Sequence, residues 1–182
     1  NGPDTTTLPV GLTGIRAIAG NNSYSFGLKN DGSVAPWTAG AIAQNGPFAG
    51  LTGLAAISAS GAHALVLTAT GTVRGSGQFY SGDATAPAGL ANVIAIAAGD
   101  DHSLALKNDG TVIGWGGYNS FGQATVPSDL TRVVSICAGV TCSVAISDTT
   151  AVATSVTSST TLGDFDGDGK ADLVWTNAQT GD

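Results

Sequence analysis

One unit recurs along this chain and constrains its fold more than any other feature. Units start at Leu12, Leu51, Leu90 and Leu130, spaced 39, 39 and 40 residues apart. Each opens with Leu, runs through a small-residue apolar strand, breaks at Gly or Ser and resumes in a second strand. The first three go on through a tight turn to a third strand. Self-similarity with a period of about 20 to 50 residues marks a solenoid, propeller or array, because each unit buries its apolar faces only against its neighbours. The third unit is the cleanest: LANVIAIAAGDDHSLALKNDGTVIGWGGYNSFGQATVP, Leu90 to Pro127. In it Val93–Ala97, Ser103–Lys107 and Thr111–Gly116 read as strands, and Asp109-Gly110 as a hairpin turn that tolerates positive φ. Asn30-Asp31-Gly32 repeats that turn, and the second unit keeps Gly71 behind Thr70. Ala124–Val126 reads as a short fourth strand. No window has helical periodicity, so short antiparallel strands repeated in this way point to propeller blades.

Composition removes several classes of function. Hydrophobic residues make up 42% and charged residues 10%, so most of the chain packs. All 13 acidic residues are Asp, which suits turns and metal loops better than helices. Net charge is −7, and the six Lys and Arg are scattered singly, leaving no basic stripe for nucleic-acid phosphates. No apolar run reaches the length of a membrane span. Without a signal peptide or any Met, the sequence is expected to be a processed chain or a fragment of a longer one.

The fourth unit begins well, as LTRVVSICAGVTCSVAI, but Thr149-Thr150 stand where Asp109-Gly110 stood. The chain therefore divides into repeats at 1–147, a Ser/Thr-rich linker or exit strand at 148–161, and a final segment of another kind at 162–182.

The run GDDHSLALKNDGTVIGWGGYNSFGQ, Gly99 to Gln123, resembles the regulator-of-chromosome-condensation repeat. The short period is most similar to its bacterial branch, which includes the propeller-type β-lactamase inhibitory protein. The likeness covers roughly Leu12 to Ile146. It is fair in unit one (Ser25–Val34 and Trp37) and degenerate in unit two, where Ser76 replaces the Trp. The resemblance implies a multi-bladed propeller that serves as a protein-binding platform. Chromatin-binding members rely on basic surfaces, which this acidic chain lacks.

The tail, GDFDGDGKADLVW, resembles the calcium loop of FG-GAP and VCBS repeats. Asp164, Asp166, Asp168 and Asp172 stand at positions 1, 3, 5 and 9, with the Lys170 carbonyl at 7. Hard oxygen ligands on alternating residues suit Ca²⁺, Gly167 and Gly169 allow the bend, and four carboxylates this close repel one another without a cation. The bland alternative is an acidic solvated turn. Leu173 to Thr176 reads as a strand, which favours this loop over helical calcium modules of similar spacing.

Other candidates are weighed by their place in the repeat. His63 and His102 share one position with Tyr24 and Cys142, and such tolerance points to packing and turn hydrogen bonding rather than catalysis. Trp37 and Trp115 share another and are expected to pack between blades. Phe79, Tyr80, Tyr118 and Phe121 lie in the loops that follow and are the candidate partner-binding residues. Cys137 and Cys142 flank an Ala-Gly-Val-Thr turn, and a hairpin there would set them opposite each other within disulfide reach. Two buried free thiols are the alternative. The disulfide is expected, because the resemblances point outside the cell.

Together these features lead us to expect an all-β fold: a partial β-propeller or open array of short antiparallel blades with a terminal calcium loop. Its function would be that of a secreted or cell-surface, calcium-stabilised, non-enzymatic binding or adhesive module of bacterial origin, with a protein or glycan ligand on a cell surface or matrix. One alternative is a structural subunit that self-associates by β-strand complementation into a fibre or ring. Another is a protein inhibitor of a secreted enzyme, and a calcium-dependent glycanase is more distant. Propellers close with about 4–8 blades, so the exposed edges should be covered by further chain or another subunit. Ala151–Val156 and Leu173–Thr176 are expected to make that join by strand addition to a neighbour.

Overall fold

Each repeat folds as one antiparallel sheet, because tight turns return each short apolar strand alongside the one before it. The computed structural model describes residues 9–38, 41–43, 46–77, 84–117, 119–148, 161–163 and 172–175, with backbone alone at 41–42, 161–163 and 172–175. The first sheet holds β1 (Ile15–Gly20), β2 (Ser25–Lys29), β3 (Val34–Thr38) and β4 (Ala41–Ile42). The second holds β5 (Leu54–Ser60), β6 (His63–Thr68) and β7 (Val73–Gly77). The third holds β8 (Val93–Ala98), β9 (Ser103–Lys107) and β10 (Val112–Trp115). The fourth joins β11 (Val133–Ala138) and β12 (Ser143–Ser147) to β13 (Thr161–Gly163) and β14 (Asp172–Trp175), in the order β11-β12-β14-β13. The strands expected in unit three fall on β8, β9 and β10. Ala124–Val126 is not a strand: Thr125 N–H closes a turn onto the Gly122 carbonyl at 2.9 Å.

The sheets pack face to face in chain order. Phe26, Leu28 and Val34 meet Leu54, Ala64 and Val66; Leu65, Leu67 and Val73 meet Val93, Ala105 and Trp115; Leu104, Leu106 and Val112 meet Val133 and Ala145. Side chains alternate across a strand, so Ala64 and Val66 of β6 face backward while Leu65 and Leu67 face forward. With both faces covered, β6 reads His-Ala-Leu-Val-Leu rather than apolar-polar. Every first strand carries a register shift at the same place, after Ile15, Leu54, Val93 and Val133. The extra residue of this bulge, Arg16, Ala55, Ile94 or Val134, is exposed.

A glycine carbonyl secures each joint. Leu54, Val93 and Val133 donate their N–H groups to Gly32, Gly71 and Gly110 of the preceding hairpin at 3.0, 3.4 and 3.1 Å. Gly110 has φ of 80°, and a Cβ on it would lie 2.9 Å from the Arg132 Cα, so both conformation and contact demand glycine there. In the same turn the Asp109 carboxylate accepts from Lys107 Nζ (2.9 Å) and from Thr111 N–H (3.0 Å). These bonds, the one to Lys107 foremost, hold its pKa down to about 2.

In unit four a later strand, β14, takes the third place. Trp175 of β14 stands opposite Ser143, as Trp115 stands opposite Ser103 and Trp37 opposite Ser25. Asp-Leu-Val-Trp thus occupies the register of Val-Ala-Pro-Trp and Val-Ile-Gly-Trp. This corrects the expectation that the tail strand joins a neighbouring chain: β14 completes the fourth sheet of its own chain. Ala151–Val156 lies outside the described residues.

Candidate binding surface

The two histidines link blades. His63 and His102 are fully buried, and each Nε2 lies 2.9 Å from a serine hydroxyl of the next sheet, Ser103 and Ser143 respectively. Ser143 donates its single hydroxyl hydrogen to the Gln123 carbonyl at 2.7 Å, so His102 is the donor from Nε2. That tautomer leaves Nδ1 as an acceptor. It is buried and has no hydrogen-bond partner among the described residues. A charged imidazole would need an N–H there with nothing to accept it. Burial first, and the neighbouring His63 second, push the His102 pKa below its ordinary value.

A serine hydroxyl at 2.9 Å from a histidine Nε2 has the spacing of a nucleophile and its base. Ser143 is 0% exposed and has already given its hydrogen to a carbonyl. The pair is a structural joint. Sequence reasoning took these histidines for packing residues but missed their partners in the next unit. The repeat does contain the signal: Ser follows forty or so positions after each His, whereas Tyr24 faces a unit with Ala64 at the serine position.

That joint also fixes a loop. β10 ends with Trp115 opposite Ser103, so the chain emerges at the end of the sheet where the Gly99–His102 turn lies. Asn119 then braces the loop, accepting from Ala124 N–H at 2.8 Å and donating to Thr125 Oγ1 at 2.7 Å. Gln123 is buried, and its Oε1 accepts from Phe121 N–H at 3.1 Å. The bond from Ser143 to the Gln123 carbonyl sets this loop against the start of β12, just after the turn that carries Val140. Phe121 is 49% and Val140 64% exposed, and Asp101 is exposed at the same end. Of the predicted contact residues, Phe121 is therefore presented on a braced loop, while Phe79, Tyr80 and Tyr118 lie outside the described residues.

The cysteines are not bonded. Cys137 and Cys142 are both free, the first exposed and the second half-buried. The hairpin register explains the correction: Cys137 stands opposite Val144, and the Gly139 N–H bonds to the Cys142 carbonyl at 2.9 Å. The two are diagonal neighbours, about 7–8 Å apart by general sheet geometry, which is beyond disulfide reach. Of the predicted calcium ligands, Asp164, Asp166, Asp168 and Lys170 lie outside the described residues. Asp172 opens β14, opposite Ile146 and Gly163.

Residues 93–123 match the regulator of chromosome condensation (RCC1) repeat, and residues 156–182 match the FG-GAP repeat. No curated protein matches the chain. Among solved structures, the ectodomain of the Physcomitrella patens receptor kinase CR4 is similar over 89% of this chain and 41% of its own, at 20% identity and a TM-score of 0.61. The crystal structure of Kap60 bound to yeast RCC1 (Prp20) is similar over 74% and 40%, at 25% identity and a TM-score of 0.57. Prp20p from Saccharomyces cerevisiae, described with its binding properties to Gsp1p and histones, is similar over 71% and 43%, at 17% identity and a TM-score of 0.55. The chain thus spans about two fifths of the length of these structures. No helix among the described residues is long and apolar enough to cross a membrane. The fold is that of part of a β-propeller, built from repeats of which one matches the regulator of chromosome condensation repeat.

Proposed function

We propose that this chain is a non-enzymatic protein-binding module whose partner docks on the end of the array that carries Phe121, Val140 and Asp101. The observation behind this reading is the braced 119–125 loop, which holds an aromatic ring in solvent on a scaffold that needs no rearrangement to bind. Aromatic anchors of this kind carry much of the energy of protein interfaces. The solved structure of Prp20p with Gsp1p- and histone-binding properties supports a protein rather than a glycan ligand. The module works outside the cell, in an adhesive role on a bacterial surface. It consists of repeats at 1–147, a connection at 148–161 and an FG-GAP-like segment at 162–182.

Calcium is part of the same proposal. Asp164, Asp166, Asp168 and Asp172 supply carboxylates and Lys170 its carbonyl, a hard-oxygen set suited to that ion. Because Asp172 begins β14, binding would stabilise the strand that completes the fourth sheet.

Labelled protein incubated with intact bacterial cells tests the binding surface. Phe121→Ala with Val140→Ala should weaken retention about 10-fold or more, the loss expected of an aromatic anchor. Asp31→Asn, at the opposite hairpin end, should leave retention unchanged. Equal retention by the end-surface variant and the wild type overturns the reading. Calorimetric titration with CaCl₂ tests the metal, and heat of binding that persists in Asp166→Ala would remove those ligands from consideration.

A further inference from the structure

The internal joints define what each blade offers its neighbours, and blade one offers the same surface with nothing on it among the described residues. On the face toward the preceding blade, Leu54, Val93 and Val133 are almost fully buried at one position, and Ala64, Ser103 and Ser143 completely so at another. Ile57, Ile96 and Ile136, at a third, are half-buried against the same clusters. The equivalents in unit one are Ile15, Ser25 and Ile18. Ile15 and Ser25 are only half-buried, and Ile18 is 76% exposed. The lower part of this face is closed by its own residues, since a Cβ on Gly27 would lie 2.7 Å from Ile15 Cδ1 and 3.4 Å from Trp37 Cζ3. The upper part, around Ile18 and Ser25, is open.

The chain entering unit one also has the connecting turn of the other units. Leu12 N–H bonds to the Pro9 carbonyl, as Leu51 does to Phe48, Leu90 to Pro87 and Leu130 to Pro127. Ser25 stands at the position where Ser103 and Ser143 meet a histidine from the blade before. The trailing face of blade four is a poor match for it. There Cys142 stands at the position where blades two and three carry histidine. We propose that the Ile18–Ser25 face is a docking surface for one further blade of this repeat type. That blade carries histidine at the mouth of its second strand, and its Nε2 meets the Ser25 hydroxyl. The occupant is such a blade rather than a second copy of this chain. This surface is separate from the loop end proposed above.

The probe is the third unit itself. Residues 90–118, placed directly before Asn1 of the full chain, put a histidine-bearing blade at the repeat spacing. Ile18→Cys should react readily with maleimide in the unextended chain, as followed by site-resolved mass spectrometry. In the extended chain its modification should slow at least 10-fold, and Ser25→Ala should restore much of the rate. Amide exchange at Gly20 and Ser25, read without the cysteine substitution, should slow in parallel. Unchanged labelling and exchange in the extended chain overturn the proposal. So does protection that grows with concentration in the unextended chain together with dimers in light scattering, since a second copy would then occupy the face.

Discussion

Replacing Ser143 with alanine should remove both hydrogen bonds that its hydroxyl makes at the joint between blades three and four. The hydroxyl accepts from His102 Nε2 at 2.9 Å and donates to the Gln123 carbonyl at 2.7 Å, and His102, Ser143 and Gln123 are all buried. A buried polar group left without a partner costs about 1–3 kcal/mol, and the His102 Nε2 N–H becomes such a group. In a domain of this size about 3 kcal/mol corresponds to a fall in Tm of roughly 6–12 °C. Ser25→Ala, at the equivalent position of the open face, should cost little. The repeat supplies its own compensation, because Tyr24 precedes a unit with Ala64 at the serine position. His102→Tyr added to Ser143→Ala should therefore recover part of the loss. Urea melts followed by tryptophan fluorescence measure each step. Ser143→Ala melting within about 0.5 kcal/mol of wild type, the range of an ordinary surface substitution, would refute the reasoning. No recovery in the double variant would refute the compensation.

The same joint predicts a pH dependence. Since burial holds the folded His102 pKa below its unfolded value near 6.5, its contribution is present above that pH and is lost as pH falls below it. The loss should be visible in melts between pH 7 and 5 and smaller in the His102→Tyr, Ser143→Ala variant. Gly110→Ala should cost about 1–3 kcal/mol, from both a φ of 80° and the Arg132 Cα 2.9 Å from the new Cβ. Gly89→Ala, with φ of 79° but nothing within 4 Å, should cost only about 1 kcal/mol. Equal losses in the two would remove the steric part of the joint. Native thiol titration should modify Cys137 first, and two alkylatable thiols should appear on unfolding without reductant.

The blades were legible in the sequence because the repeat states three times which residues are apolar and where the hairpin turns. β9 coincides with the strand read from unit three, β8 runs one residue past its reading, and β10 is one residue shorter than its reading at each end. What pairs across units was not legible from any one of them. The His63–Ser103 and His102–Ser143 bonds span 40 and 41 residues, and only comparison of successive units exposes the pattern. The disulfide expectation failed on register, since placing two cysteines around a turn does not say which residue faces which. β14 could be read as a strand, but a strand does not encode the edge it will join. Its tryptophan, in the register of Trp37 and Trp115, was the available clue.

Backbone amide exchange along β12 tests the central claim, that four successive blades form one array and the fourth is completed by β14. In the full chain the β12 amides should be protected on both edges, because β11 and β14 flank the strand. In a chain ending at Asp148, the amides of Ser143–Ser147 that face β14 should exchange at least about 10-fold faster, while those of β6, between β5 and β7, keep their rates. Equal β12 protection in the two chains would contradict the account, because the fourth blade would then have no need of its borrowed strand.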